Sequence, residues 1–219
     1  MKILGTGLNG LVGSRIVELL SPHYTFESIS RSTGVDIVDL DSVHKAIKNS
    51  EAGTVLHMAA KTNVDGCEGD RTQGQNGEAW KINVLGTQNV VDACREFGKK
   101  LIYISTDFVF DGEKEGMYAE EDGRNPICWY GETKYEGERL MQGLDGGIIL
   151  RIAYPYRTNF EKKDFVRAIK SRLEENQTVK AVQDHNFCPT FIDDIAHALD
   201  ILIEKKSFGI YHVVGSQTL

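Results

Sequence analysis

Nowhere does the chain approach the roughly 20 consecutive apolar residues that a bilayer-spanning helix needs, so a helical membrane protein is not expected. Its opening, Met1-Lys2-Ile3-Leu4, turns at once into glycines and leaves no apolar core for a signal peptide. A cytoplasmic location is the expectation. Cysteine is sparse: Cys67, Cys94, Cys128 and Cys188 lie far apart without paired spacing, which suits a reducing compartment and suggests neither a zinc site nor a disulfide frame. The six histidines are equally scattered, and no metal site is expected. Basic runs are missing too. With 25 Lys and Arg against 32 Asp and Glu, the formal charge is −7, so a nucleic-acid partner is not expected and any anionic ligand must be held locally. There is no internal repeat and no low-complexity linker. What remains is 219 residues, 41% hydrophobic and 26% charged: a globular composition sufficient for one domain, or one and a half.

Short apolar runs alternate with amphipathic stretches from the first residue onward. That rhythm predicts an α/β fold, a doubly wound parallel sheet covered on both faces. Strands are expected at 2–5, 25–30, 54–58, 100–105, 147–152 and 209–213. The segment Leu11 to Leu20 carries Val12, Ile16, Leu19 and Leu20 at helical spacing, and Ser21-Pro22 ends it. Asp39 is placed to cap a helix over 40–49. A long helix is expected over 78–97, with Ile82, Leu85, Val90, Ala93 and Cys94 in register and Gly98 as its stop. Further helices are expected at 131–141, 165–176 and 192–204. The polar stretches 64–77 and 111–126 are expected to be surface loops.

Thr6-Gly7-Leu8-Asn9-Gly10-Leu11-Val12-Gly13 forms GxxGxxG between the first strand and the first helix. A pyrophosphate needs backbone N–H donors at a helix N-terminus with no side chain blocking its approach. Gly7 would permit the tight turn, Gly10 the close approach and Gly13 the packing of helix on strand, with Asn9, Leu11 and Val12 completing the cradle. An acid at the end of the second strand would hold the ribose hydroxyl of NAD and repel a 2′-phosphate. Here the chain reads Ile29-Ser30-Arg31-Ser32, without a carboxylate, and Arg31 with Ser30 can hold a phosphate. NADPH is therefore the expected cofactor, with NADH left open. Asp36 and Ile37 stand where an adenine contact is expected.

Tyr130-Gly131-Glu132-Thr133-Lys134 is the only place where a Lys follows a Tyr at i+4, a spacing that puts both side chains on one helix face. A phenol ionising near 10 is a poor acid or base at neutrality unless a cation stabilises the phenolate. An ammonium about 4 Å away contributes about 4 kcal/mol at an effective dielectric of 20, the right size for that task. Thr106, in Ser105-Thr106-Asp107 at the carboxyl edge of a strand, is placed to donate to the same carbonyl that Tyr130 protonates.

Together these features resemble the extended short-chain dehydrogenase/reductase superfamily, and within it the dTDP-4-dehydrorhamnose reductase family. Ser105-Thr106-Asp107-Phe108-Val109-Phe110-Asp111-Gly112 is similar to that family's S-T-D-Y-V-F-D-G block. His57-Met58-Ala59-Ala60-Lys61-Thr62-Asn63-Val64-Asp65 is similar to its N-A-A-A-x-T-x-V-D, and Asn83-Val84-Leu85-Gly86-Thr87, Cys188-Pro189-Thr190-Phe191-Ile192-Asp193-Asp194 and Gly209-Ile210-Tyr211-His212 extend the likeness nearly end to end.

The resemblance implies a Rossmann-like cofactor domain over 1–153, to which 190–215 return, and a small, C-terminally shortened substrate lobe over 154–189. It implies Tyr130 as proton donor, Lys134 as its partner and as a ligand of the nicotinamide ribose, and Thr106 as a further catalytic group. Ala59, Ala60, Lys61 and Thr62 would line the cofactor, Asp107 would bind the sugar, and Asn83 would serve as structural support. Where the family has Arg-Thr-Ser followed by Trp, this chain has Arg151-Ile152-Ala153 and then Tyr154, which keeps an aromatic at the sugar. The implied reaction is NADPH-dependent reduction of a nucleotide-activated 4-keto-6-deoxy sugar, dTDP-4-dehydrorhamnose foremost, to dTDP-rhamnose. A sugar epimerase or dehydratase is the alternative within the fold, and a non-catalytic NADP-binding subunit resembling the methionine adenosyltransferase beta subunit is the alternative outside enzymes. A homodimer is left open. Such reductases usually run several dozen residues past the Gly-Ile-Tyr-His strand, so a truncated chain, or one completed by another, is expected.

Overall fold

The computed structural model describes residues 1–180 and 184–218. Six parallel strands form one sheet in the order β2 (Thr25–Ile29), β1 (Lys2–Thr6), β3 (Thr54–His57), β4 (Lys100–Thr106), β5 (Ile148–Ile152) and β8 (Gly209–His212). A parallel sheet is covered on both faces, so its strands are apolar on both. Ile3, Ile102 and Leu150 point to one side, where α1 (Leu11–Leu20) and α8 (Ile192–Glu204) bring Ile16, Ile195 and Leu199. Their strand neighbours Leu4, Leu101 and Tyr103 point to the other, against Val43 and Ile47 of α2 (Leu40–Asn49) and Val90 of α5 (Gly86–Glu96). A two-stranded sheet, β6 (Pro155–Tyr156) with β7 (Thr190–Phe191), and α7 (Phe165–Glu174) lie beyond β5 in the chain. Among the described residues no helix is long and apolar enough to cross a membrane.

The chain leaves β1 toward β2 on one side and returns to β3 on the other. That reversal opens a crevice at the carboxyl ends of the strands, where ligands of open α/β sheets bind. Expected element positions hold to within one or two residues, and Asp39 caps α2, its carboxylate accepting from the Asp41 and Ser42 amides at 3.1 and 3.3 Å.

Two expectations need correction. The segment 64–77 is not a plain loop: α3 (Val64–Glu68), capped by Asn63 through the Gly66 amide at 2.6 Å, is followed by a 3₁₀ stretch, Arg71–Asn76. Cys67, fully buried, anchors it. The helix expected over 78–97 is a run of α4 (Glu78–Trp80), a π-helical turn Lys81–Leu85, and α5. The wider turn shifts the register by a residue, which turns Leu85 out to 43% exposure instead of into the core.

Candidate active site

The crevice is a cleft of about 820 Å³ that runs from the glycine turn after β1 to the start of α6 (Trp129–Leu140). Gly7 sits at φ +69°, and a Cβ on Gly13 would lie 2.5 Å from the Gly7 carbonyl, so both glycines are required for α1 to pack this closely on β1. Asn9, Gly10, Leu11 and Val12 line the cleft with them. No side chain caps α1, and its first turn holds no acid. Free amides at a bare helix start fit a pyrophosphate.

At the end of β2, Ser30 and Arg31 line the same cleft, with Asp36 and Ile37 beside them. Arg31 donates from Nε to Asp36 at 3.0 Å, so the carboxylate absent from the strand end returns five residues later as a partner of the arginine. Ala59, Ala60 and Thr62 also line the cleft. The Lys61 side chain is not brought to it: its ammonium is held at 2.8 Å by both Asp70 and Glu78.

Behind this wall runs a buried hydrogen-bonded chain. Thr6 Oγ1 accepts from the Met58 and Ala59 amides at 3.1 and 3.0 Å, so its own proton goes to His57 Nδ1 at 2.7 Å. His57 Nε2–H then donates to Thr87 at 3.0 Å, and Thr87 to the Asn83 carbonyl at 2.7 Å. Burial keeps His57 neutral, holding it down at about 3. The Asn83 amide brackets Lys61, accepting from its N–H at 2.7 Å and donating to its carbonyl at 3.1 Å, and also donates to Thr133 of α6 at 2.9 Å.

Tyr130 and Lys134 are both buried and both line the cleft, with Thr106 and Asp107 opposite. Cys128 caps α6, its sulfur accepting from the Gly131 amide at 3.4 Å. The Lys134 ammonium donates to the Ile104 carbonyl at 2.7 Å and lies 4.0 Å from the Tyr103 ring centroid. Burial pulls it down to about 7, against the negative charge of Glu138. Burial, with the charge of Asp107, raises the Tyr130 phenol, while a hydrogen bond to Thr106 works the other way. The sequence expectation of a phenol lowered toward neutrality therefore differs from this arrangement: desolvation acts on both groups, and the ammonium is spent on a carbonyl. Asp107, which accepts from Thr106 Oγ1 at 2.9 Å, is raised by burial to about 6.

Tyr154 closes the far end of the cleft at φ +40°, a conformation costly for a residue with a side chain. Rings hold it there: Phe165 at 5.0 Å, Phe187 at 4.8 Å and Phe108 at 6.0 Å between centroids. Its hydroxyl is 3.1 Å from His185 Nε2. Sequence reasoning missed Phe108, Asp164 and Phe165 as lining residues, and missed Glu138 altogether. Glu138 carried a signal, since it falls one turn after Lys134 on the same face. His185 carried none.

The whole chain, residues 1–219, matches the family model described as the RmlD substrate binding domain. A dTDP-4-dehydrorhamnose reductase of Aggregatibacter actinomycetemcomitans is 33% identical over 225 residues, covering 98% of this chain and 73% of that protein. A dTDP-4-keto-6-deoxy-D-glucose reductase of Streptomyces niveus is 31% identical over 212 residues, or 95% of this chain and 71% of that one. Among solved structures, the dTDP-4-dehydrorhamnose reductase of Bacillus anthracis in complex with NADP superposes with a TM-score of 0.89 at 30% identity, over 99% of this chain and 75% of that one.

Proposed function

This chain belongs to the RmlD substrate binding domain family, and from that premise we propose that it reduces the 4-keto group of dTDP-4-dehydrorhamnose with NADPH, giving dTDP-rhamnose. One observation carries the reading: a single cleft joins an uncapped helix start to Tyr130, Lys134 and Thr106. The bare N-terminus of α1 fits a pyrophosphate, and Arg31 with Ser30 fits a 2′-phosphate. NADPH, when bound, supplies the hydride. Tyr130 gives its proton to the C4 oxygen, and a raised phenol stays protonated until then. Lys134 offsets the negative charge that develops on the phenol as the proton leaves, and Thr106 turns its proton from Asp107 to the same carbonyl oxygen when the sugar is bound.

Tyr154, Pro155, Asp164 and Phe165 make the sugar side of the cleft in this reading, with Tyr154 as its aromatic wall and Asp107 as a hydrogen-bonding group. A dehydratase would need a second acid beside Asp107, where the chain has Phe108. The proposal carries a cytoplasmic setting, in keeping with four free cysteines.

Incubation of dTDP-4-dehydrorhamnose with NADPH deuterated at its hydride-bearing carbon should leave one deuterium at C4 of the sugar. An epimerised sugar with no deuterium would refute the reduction. Arg31→Ala should raise KM for NADPH about tenfold, close to 1.4 kcal/mol, and leave KM for NADH little changed, because only NADPH carries the 2′-phosphate that Arg31 would hold. Equal losses with both cofactors would place Arg31 outside that pocket.

A further inference from the structure

One turn beyond Lys134 on α6, Glu138 is only 4% exposed. A buried carboxylate is costly unless charge and hydrogen bonds compensate it. Its partners come from two strands. Ser105 of β4 donates to Oε1 at 2.6 Å, and Arg151 of β5 forks onto both oxygens, from Nε at 2.9 Å and from NH2 at 2.8 Å. Arg151, itself 1% exposed, has a second side: NH1 donates to the Glu120 carbonyl at 3.1 Å and lies 3.0 Å from His212 Nε2. Ser105 immediately precedes Thr106, and Arg151 comes three residues before Tyr154. One carboxylate thus ties together the three elements that deliver the groups of the cleft.

We propose that Glu138 is a positioning residue for this reaction: clamped by Arg151 and Ser105, it fixes the turn of α6 that carries Tyr130 and Lys134 and sets a buried carboxylate one turn beyond Lys134, as the negative charge on that helix face. The inference rests on the reading of Tyr130 and Lys134 as the acid and its cationic partner. Several groups face Lys134. They are Glu138 from its own helix, the Tyr103 ring and Ile104 carbonyl from β4, neutral His57 from β3, and Arg151 behind Glu138. Of these, Glu138 is the one that opposes the effect of burial on Lys134. If the ammonium is required, turnover falls as pH rises through the ionisation of Lys134. Removing the Glu138 charge moves that basic limb to lower pH. When Arg151 is removed with it, the two opposite charges partly cancel, and at an effective dielectric near 20 the shift is about one pH unit, a tenfold loss of turnover above the limb; removing Glu138 alone shifts it further.

The test compares the wild type with Glu138→Gln, Glu138→Asp and the double variant Glu138→Met with Arg151→Met. The double variant removes both charges together, and so keeps the experiment usable if Glu138→Gln fails to fold around an unpaired arginine. Two readouts are followed against pH: kcat for sugar reduction, and the ε-ammonium signal of Lys134 in lysine-labelled protein, identified by its loss in Lys134→Met. Both should move down in the two charge-removing variants, by about one unit in the double variant, which removes the pair, and further in Glu138→Gln, which leaves the Arg151 charge in place. Both should return most of the way in Glu138→Asp, with KM for the sugar changed less than about threefold. A folded double variant with the wild-type Lys134 titration would overturn the proposal and leave Glu138 a structural clamp. Absence of turnover in the wild type would instead sink the reductase reading, while the Lys134 signal still reports on Glu138.

Discussion

Tyr130→Phe is expected to lower kcat about a thousandfold while changing the affinity for NADPH less than about threefold. The substitution removes one oxygen and keeps the ring, which packs edge-on against Phe108 with centroids 5.7 Å apart. α6 keeps its cap at Cys128 and its contact with Asn83 through Thr133, so Lys134 stays where it is. The ring contacts stay, so the fold should be little affected. Only the proton is lost. Without it the C4 oxygen must take a proton from water, in a cleft whose other nearby acid, Asp107, is ionised above about 6. Turnover measured under saturating NADPH, beside a fluorescence titration of the cofactor, separates the two effects. A kcat within a few-fold of the wild type would remove Tyr130 from the chemistry.

Arg151→Met alone is expected to destabilise the protein by about 3–5 kcal/mol, because it leaves Glu138 buried and without its counter-charge. It also strips a donor from the Glu120 carbonyl and a partner from His212 on the edge strand β8. Combining it with Glu138→Met should restore more than half of the loss, since two apolar side chains of similar volume remove both unmet charges. Urea unfolding of the two single variants and the double closes the cycle. Additive losses would mean that the two side chains stabilise the fold independently, contrary to the bidentate geometry at 2.8 and 2.9 Å.

The sheet and the glycine turn at one end of the cleft were legible because local patterns encode them. A strand buried on both faces reads as an unbroken apolar run, as in Leu101-Ile102-Tyr103-Ile104, and GxxGxxG marks a turn that only glycines allow. Asp39 as a cap and Gly98 as a stop are equally local. What could not be read depends on partners distant in sequence. The π-helical turn at Lys81–Leu85 accompanies an Asn83 side chain engaged with Lys61 and Thr133. Lys61 was expected at the cofactor, yet Asp70 and Glu78 draw its ammonium away. The direction of the Tyr130 shift depends on how completely the pair is buried, a property of packing that spacing does not carry. Likewise the strained backbone of Tyr154 follows from rings supplied by three separate segments.

The central claim is that the one cleft unites an NADPH cradle with a proton donor aimed at a sugar ketone. Adding dTDP-4-dehydrorhamnose to the purified chain with NADPH, and following the loss of NADPH absorbance against the appearance of dTDP-rhamnose, tests it directly. The account predicts one NADPH oxidised for each sugar reduced, in wild type and not in Tyr130→Phe. Sugar converted with no net loss of NADPH, or NADPH bound but never consumed, would contradict it.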